Sequence, residues 1–156
     1  MSLHAQLQRR AAEGRPIRVG LIGAGKFGSM YLAQVPRTAG VHLAAIADLS
    51  PDAARRNLAR VGWEAQRAQA ASIDEALRRG TTHVGDDWTA LVHHPAIDVV
   101  VECTGHPIAA VDHCLAAFRA HKHVVNVTVE ADAFCGSLLA RRVAEAGVVY
   151  LFAFGD

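Results

Sequence analysis

Short apolar runs alternate along the chain with segments whose apolar residues recur every three or four positions. The apolar runs are rich in β-branched residues, which is typical of strands buried on both faces of a parallel sheet. Six strands are predicted, at Ile17–Ile22, Val41–Ala47, Thr82–Val84, Ile97–Val101, His123–Val127 and Val148–Phe154. Strands that alternate with helices in this way predict an α/β fold.

The segments between the strands carry the start and stop signals of helices. Ser50 and the capping box that begins at Ser72 are typical helix starts, and Gly80 and Gly147 are typical helix ends. Helices are predicted at Leu3–Glu13, Lys26–Val35, Pro51–Val61, Ile73–Arg79, 88–93, from Pro107 onward and at Ala131–Ala146. The stretch Gly62–Ala71 has no clear pattern.

Helical spacing also predicts which residues of the last two helices face the core. These residues are Ile108, Val111, Leu115 and Phe118 in the first of them, and Phe134, Leu138 and Val143 in the second.

The order of these elements predicts a Rossmann-type, doubly wound parallel sheet between two layers of helices, with strand order 3-2-1-4-5-6. Residues 1–156 are expected to form one such domain, in which residues 1–15 are a leading helix. The sequence stops at Gly155 and Asp156, at the carboxyl end of the sixth strand, where ligands bind in open α/β sheets. We therefore expect the catalytic and substrate-binding domain to be absent from this chain.

Composition narrows the classes of partner. Sixteen Lys and Arg residues against fifteen Asp and Glu residues leave a net charge of +1, which argues against nucleic acid as a partner. The apolar runs are too short to span a membrane, and no secretory signal is visible. Three cysteines without a C-x-x-C pair favour a reducing, cytoplasmic compartment. The adjacent histidines at 93–94 and the nearby pair at 121 and 123 lack the accompanying ligands of a metal site, so no metal is predicted.

The strongest chemical signal is a G-x-G-x-x-G motif between the first strand and the following helix. Gly23 permits the tight turn, Gly25 lets a pyrophosphate approach the backbone, and Gly28 allows close packing of helix on strand. The predicted cofactor contacts of this turn are Gly23, Ala24, Gly25, Lys26, Phe27 and Gly28. For Lys26, a solvated side chain is the alternative.

Asp48 lies at the end of the second strand, twenty positions after Gly28, where an acidic residue accepts hydrogen bonds from a ribose 2′-hydroxyl. This position favours NAD(H) and disfavours the 2′-phosphate of NADP(H). Arg55 and Arg56 lie downstream on the next helix and are candidates to bind a 2′-phosphate. The alternatives are a loop aspartate before the Ser50 cap and a solvated helix face.

Further cofactor contacts are predicted where the fourth and fifth strands end. Cys103, Thr104 and Gly105 follow the fourth strand, at the point where a dinucleotide crosses the sheet. Thr128 and Glu130 follow the fifth strand near the expected nicotinamide. Glu130 is alternatively an acid that stabilises the next helix. A nucleophilic Cys103, as in aldehyde oxidation, is a further alternative to an inert buried thiol.

Four segments together resemble the amino-terminal domain of homoserine dehydrogenase-like oxidoreductases. They are residues 17–28, Ala47–Pro51, Val99–Gly105 and Val124–Asp132. Within that group, the chain is most similar to the 1-deoxy-D-xylulose 5-phosphate reductoisomerase-like subgroup, whose members continue into a catalytic and SAF-type region.

The resemblance implies oxidation or reduction at a carbonyl or alcohol carbon of a small polar or phosphorylated substrate, with NADP(H) or NAD(H) as cofactor. Because the reductoisomerase-like subgroup uses NADPH, the resemblance favours NADP(H), whereas Asp48 favours NAD(H). It assigns the cofactor role to Gly23, Gly25, Gly28, Asp48, Thr104 and Gly105. Substrate, metal and proton-transfer residues are expected in the missing region, and the full-length protein is expected to be a homo-oligomer. A non-catalytic module that senses NAD(H) or another nucleotide is the alternative function.

Overall fold

Six parallel strands in the order β3-β2-β1-β4-β5-β6 form one sheet, which confirms the predicted topology. The computed structural model describes residues 2–153. The strands are β1 (Ile17–Ile22), β2 (Val41–Ala47), β3 (His83–Gly85), β4 (Val99–Glu102), β5 (His123–Asn126) and β6 (Tyr150–Phe152). The predicted end of the last strand at Phe154, and Gly155 and Asp156, lie outside the described residues.

Seven α-helices flank the sheet. They are α1 (Leu3–Ala12), α2 (Lys26–Gln34), α3 (Pro51–Arg60), α4 (Ile73–Arg79), α5 (Trp88–His93), α6 (Pro107–Arg119) and α7 (Val129–Ala146). Short 3-10 turns occupy Val35–Arg37, where Pro36 interrupts α2, and Ala65–Ala68 in the stretch without a clear pattern. The predicted ends hold: Gly80 and Gly147 both adopt left-handed backbone angles that favour glycine.

The sheet separates two apolar layers. On one face, Leu32 of α2 and Leu58 of α3 pack against β1 and β2. On the other face, residues of α4 to α7 pack against the sheet, among them the fully buried Phe118 and Leu139. The β1 and β4 strands pair directly at the centre of the sheet. The loop after β1 leads to a helix on one face of the sheet, and the loop after β4 leads to a helix on the other face.

The prediction that Ile108 and Phe134 lie in the core is wrong. Ile108 is 65% exposed because it lies in the first turn of α6, on the opposite side of the helix from the buried Ala110. Phe134 is 73% exposed because the buried row of α7 runs through Cys135 and Leu139, one position away. This row keeps its helical spacing through a bend at Cys135, where φ is −128° and ψ is 17°. Leu139 is therefore the fully buried leucine of α7, while Leu138 is half-buried.

Candidate cofactor site

The glycine turn joins β1 to α2 at the carboxyl edge of the sheet. Gly23 has a φ of +89°, and a Cβ atom there would lie 2.8 Å from the backbone of Cys103 and Thr104. A Cβ atom on Gly28 would lie 2.8 Å from the Gly23 carbonyl oxygen. At Gly25 nothing lies within 4 Å of that position. The first and third glycines are therefore required by close contacts, whereas the second leaves open space above the turn.

The first backbone N–H groups of α2 face this open space without an internal partner. Gly25 precedes the helix and provides no side-chain cap, and no acidic residue lies in the first turn. Within residues 2–153, every other α-helix has either a side-chain cap or acidic residues in its first turn. Free amides at the positive end of a helix dipole form an anion site, which suits a pyrophosphate.

Asp48 is tied to the glycine turn. Its Oδ2 atom accepts a 2.8 Å hydrogen bond from the Ala24 N–H, and its Oδ1 atom accepts a 2.9 Å hydrogen bond from the Ser50 N–H. The Asn57 side chain donates a 2.8 Å hydrogen bond to the Ala24 carbonyl oxygen. Both polar groups of Ala24 are thus held, and each Asp48 oxygen retains a lone pair that is free to accept from a ribose hydroxyl.

The two arginines proposed for a 2′-phosphate differ in their surroundings. Arg55 donates a 3.0 Å hydrogen bond to the Val84 carbonyl oxygen and forms an ion pair with Asp52 at 3.3 Å. Arg56 is exposed on the outer side of α3. Arg55 is therefore exposed on the helix face but tied to the β3 strand through one hydrogen bond, whereas Arg56 has the surroundings of a solvated helix face.

A buried carboxylate connects the loops that follow β4 and β5. Glu102 is fully buried, and its Oε1 atom accepts a 2.6 Å hydrogen bond from the Thr104 hydroxyl. Its Oε2 atom accepts a short hydrogen bond from the Thr128 hydroxyl, and the Thr128 oxygen accepts a 3.0 Å bond from the Gly105 N–H. Thr128, predicted near the nicotinamide, is therefore a buried residue that anchors the Gly105 loop.

Cys103 lies next to this carboxylate and is buried. Burial, with a smaller contribution from the charge of Glu102, raises the pKa of the Cys103 thiol to about 12. A thiol in this environment stays protonated near neutral pH and is a poor nucleophile. The structure therefore supports the interpretation of Cys103 as an inert buried thiol.

Two neighbouring depressions are lined by different subsets of the predicted cofactor residues. A cleft of about 530 Å³ lies above β1, β2 and β4 and is lined by Gly23, Gly25, Asp48, Cys103 and Thr104. A more apolar groove of about 670 Å³ lies on the α2 side of the sheet and is lined by Phe27, Cys103 and Glu130. Only Cys103 of the predicted residues lines both. Lys26 is exposed at the start of α2, and Gly105 is exposed in the loop after β4.

Sequence reasoning missed three residues of the cleft region. Asn57 carries no motif, and only its contact with Ala24 reveals its role. Trp88 and His113 both line the cleft, and their rings lie 4.6 Å apart. His106 accepts a hydrogen bond from the Ala109 N–H and thereby caps α6.

The histidines at 93, 94 and 121 contact nearby protein groups in the described part of the chain. Residues 2–153 contain no group of three His, Cys, Asp or Glu side chains placed to hold a metal ion. His93 and His121 each contact a nearby carbonyl oxygen, and His94 contacts Asp74. None of the helices in this range is long and apolar enough to cross a membrane.

Comparison with known proteins points to one kind of domain. The family model "Homoserine dehydrogenase, NAD binding domain" matches residues 23–152. A homoserine dehydrogenase from Thiobacillus denitrificans is 26% identical with a TM-score of 0.65, over 88% of this chain and 29% of that one. An NAD binding oxidoreductase from Klebsiella pneumoniae is 25% identical with a TM-score of 0.65, over 89% and 34%.

A levoglucosan dehydrogenase, solved in complex with NADH and L-sorbose, shares the fold with a TM-score of 0.64 at 23% identity, over 88% of this chain and 34% of that one. The present chain spans about a third of the length of these structures. No curated protein matches its sequence significantly.

Proposed function

Because the chain belongs to the family of homoserine dehydrogenase NAD-binding domains, we propose that its glycine turn holds the pyrophosphate of a dinucleotide and that Asp48 binds the adenosine ribose. The observation that carries this assignment is the combination of uncapped amides at the start of α2 with open space above Gly25. An anion can approach the backbone at this point without displacing any side chain.

We further propose NAD(H) as the preferred cofactor. Asp48 is held by two backbone amides, so its carboxylate cannot easily turn away from a ligand in the cleft. A fixed carboxylate accepts hydrogen bonds from a ribose 2′-hydroxyl and repels a 2′-phosphate. The arginine best placed to offset that repulsion, Arg55, is already engaged by Asp52 and Val84.

The whole protein is proposed to be an oxidoreductase that acts on a carbonyl or alcohol carbon of a small polar or phosphorylated substrate. The bound nicotinamide supplies the hydride chemistry. The residues of this chain bind and orient the cofactor, and the loops after β4 and β5 fix its position across the sheet. Homologous structures extend well beyond the matched region, and we assign substrate binding, proton transfer and assembly into homo-oligomers to a corresponding domain.

The binding proposal is tested by titrating the protein with NADH and following nicotinamide fluorescence. We expect saturable binding, competition by ADP-ribose, and little competition by nicotinamide mononucleotide, because the proposed contacts lie on the adenosine and pyrophosphate half. Absence of NADH binding at millimolar concentration, in protein shown to be folded, would overturn the proposal.

A further inference from the structure

His113 is a buried polar residue in the cofactor cleft that the proposed binding contacts do not use. It lies in the second turn of α6, is 6% exposed, and lines the same cleft as Asp48 and Ala109. One side of its ring packs against Trp88, with ring centroids 4.6 Å apart. Its position in the cleft wall is therefore closely constrained, and its two ring nitrogens have different surroundings.

The Nδ1 atom of His113 lies 3.1 Å from the Oε1 atom of Glu102. A carboxylate accepts hydrogen bonds and does not donate them, so Nδ1 must carry the proton in this contact. The hydroxyl groups of Thr104 and Thr128 donate to the same carboxylate, which fixes its orientation. Glu102 therefore selects the tautomer of the neutral imidazole in which Nδ1 is the donor.

In that tautomer Nε2 has a lone pair and is a hydrogen-bond acceptor. Within residues 2–153, Nε2 has no hydrogen-bond partner, and it is not among the buried polar atoms that are sealed from solvent. The cleft wall thus presents one oriented acceptor whose partner is not supplied by the described protein. A ligand that leaves it unpaired, or that opposes it with another acceptor, binds less well.

We infer that His113 Nε2 accepts a hydrogen bond from the base of the bound dinucleotide and selects a purine with an exocyclic amine at C6. The inference rests on the proposed function, which places the adenosine half in this cleft beside Asp48. Adenine offers an amine at C6, whereas hypoxanthine offers a carbonyl oxygen, which is an acceptor. His113 is thus a specificity-determining residue, and Glu102 is a positioning residue that acts through it.

The test compares the dissociation constants of NADH and reduced nicotinamide hypoxanthine dinucleotide, which differ only in the purine. The wild-type protein should bind NADH about tenfold more tightly, the effect of one well-placed hydrogen bond. The variant His113→Asn keeps a donor toward Glu102 but removes the Nε2 acceptor, so the two affinities should become nearly equal. The matched variant His113→Gln retains an acceptor at the end of the side chain and should recover part of the discrimination.

A second variant tests the role of the carboxylate. Glu102→Met removes the oxygen that fixes the proton on Nδ1 while keeping a side chain of similar size, and it should lower the discrimination ratio even if His113→Asn proves unstable. Equal affinities for the two dinucleotides in the wild-type protein overturn the inference but leave the proposed function intact. Unchanged discrimination in folded His113→Asn or Glu102→Met overturns it as well. Failure of the folded wild-type protein to bind either dinucleotide overturns both.

Discussion

The Asp48 carboxylate accepts a 2.8 Å hydrogen bond from the backbone N–H of Ala24, in the middle of the glycine turn. One side chain thus links the end of β2 to the glycine turn after β1. A residue assigned to ribose recognition is therefore also part of the scaffold that shapes the turn. Substitutions at Asp48 must be designed to separate these two roles.

Asp48→Asn keeps an acceptor oxygen for one backbone amide but removes the negative charge. We expect it to bind NADPH at least tenfold more tightly than the wild-type protein does, with a small loss of NADH affinity, because charge repulsion of the 2′-phosphate is relieved. Asp48→Ala should weaken both cofactors, since the turn loses its anchor. Parallel fluorescence titrations with the two cofactors check this, and an unchanged NADPH affinity in Asp48→Asn would place the ribose elsewhere.

Asn57 supports the turn from the opposite side through the Ala24 carbonyl oxygen. Asn57→Ala should lower the free energy of unfolding by about 1 kcal/mol, the usual effect of losing one hydrogen bond, and should weaken NADH binding several-fold. The neighbouring Arg56→Ala is the matched control on the exposed side of α3, and it should change neither quantity. Urea unfolding and NADH titration measure both effects; equal behaviour of the two variants would contradict a supporting role for Asn57.

The buried thiol of Cys103 gives a prediction about reactivity and pH. Burial raises its pKa to about 12, so at pH 8 it should react with iodoacetamide about a thousandfold more slowly than an ordinary thiol. Mass spectrometry of the alkylated peptides gives the rate. Fast alkylation of Cys103, slowed by NADH, would instead favour a catalytic cysteine.

The same shift has a consequence for stability. The pKa of Cys103 is higher in the folded state than in the unfolded state. Its contribution to the free energy of unfolding is therefore complete at pH values below the pKa of the unfolded state, and it is lost as the pH rises toward 12. Burial raises the pKa of Cys114 to about 12 as well, so both thiols act in the same direction. The free energy of unfolding should therefore fall above about pH 9, and less steeply in Cys103→Ala than in the wild-type protein.

The Glu102 carboxylate holds two hydroxyl groups and an imidazole. Glu102→Leu leaves these polar groups without their acceptor, and the free energy of unfolding should fall by at least about 3 kcal/mol. Thr104→Val removes one donor to Glu102 and the acceptor of the exposed His106 N–H, and it should cost about 1 kcal/mol. Thermal unfolding of the two variants checks this order, and a Glu102→Leu protein as stable as Thr104→Val would show that the network contributes little.

The strand order and most element boundaries follow from local signals that the tertiary structure does not override. Ser50, Ser72 and Gly80 are clear cap residues, and the helices begin and end where they indicate. The buried face of α7 is less certain from sequence, because its apolar residues form two adjacent rows at helical spacing, one through Phe134 and Leu138 and one through Cys135 and Leu139. Only packing against the sheet shows that the second row is the buried one.

The candidate site also contains some residues that the sequence predicts and others that it does not. The glycine spacing and the position of Asp48 are sequence patterns because both depend on the local turn between a strand and a helix. Asn57, Trp88 and His113 lie on three different helices and meet the site only through the packing of those helices. Contacts of this kind depend on tertiary structure, which no local pattern encodes.

The central claim is that the pyrophosphate lies over Gly25, and Gly25→Val tests it most directly. The φ of Gly25 is −77° and a Cβ atom there meets nothing within 4 Å, so the variant should fold. Gly23→Ala is the contrasting variant, because it places a Cβ atom 2.8 Å from backbone at a φ of +89° and should unfold at lower temperature. Calorimetric titration with NADH should show binding at least about a hundredfold weaker in Gly25→Val than in the wild-type protein. Wild-type affinity in folded Gly25→Val would contradict the account.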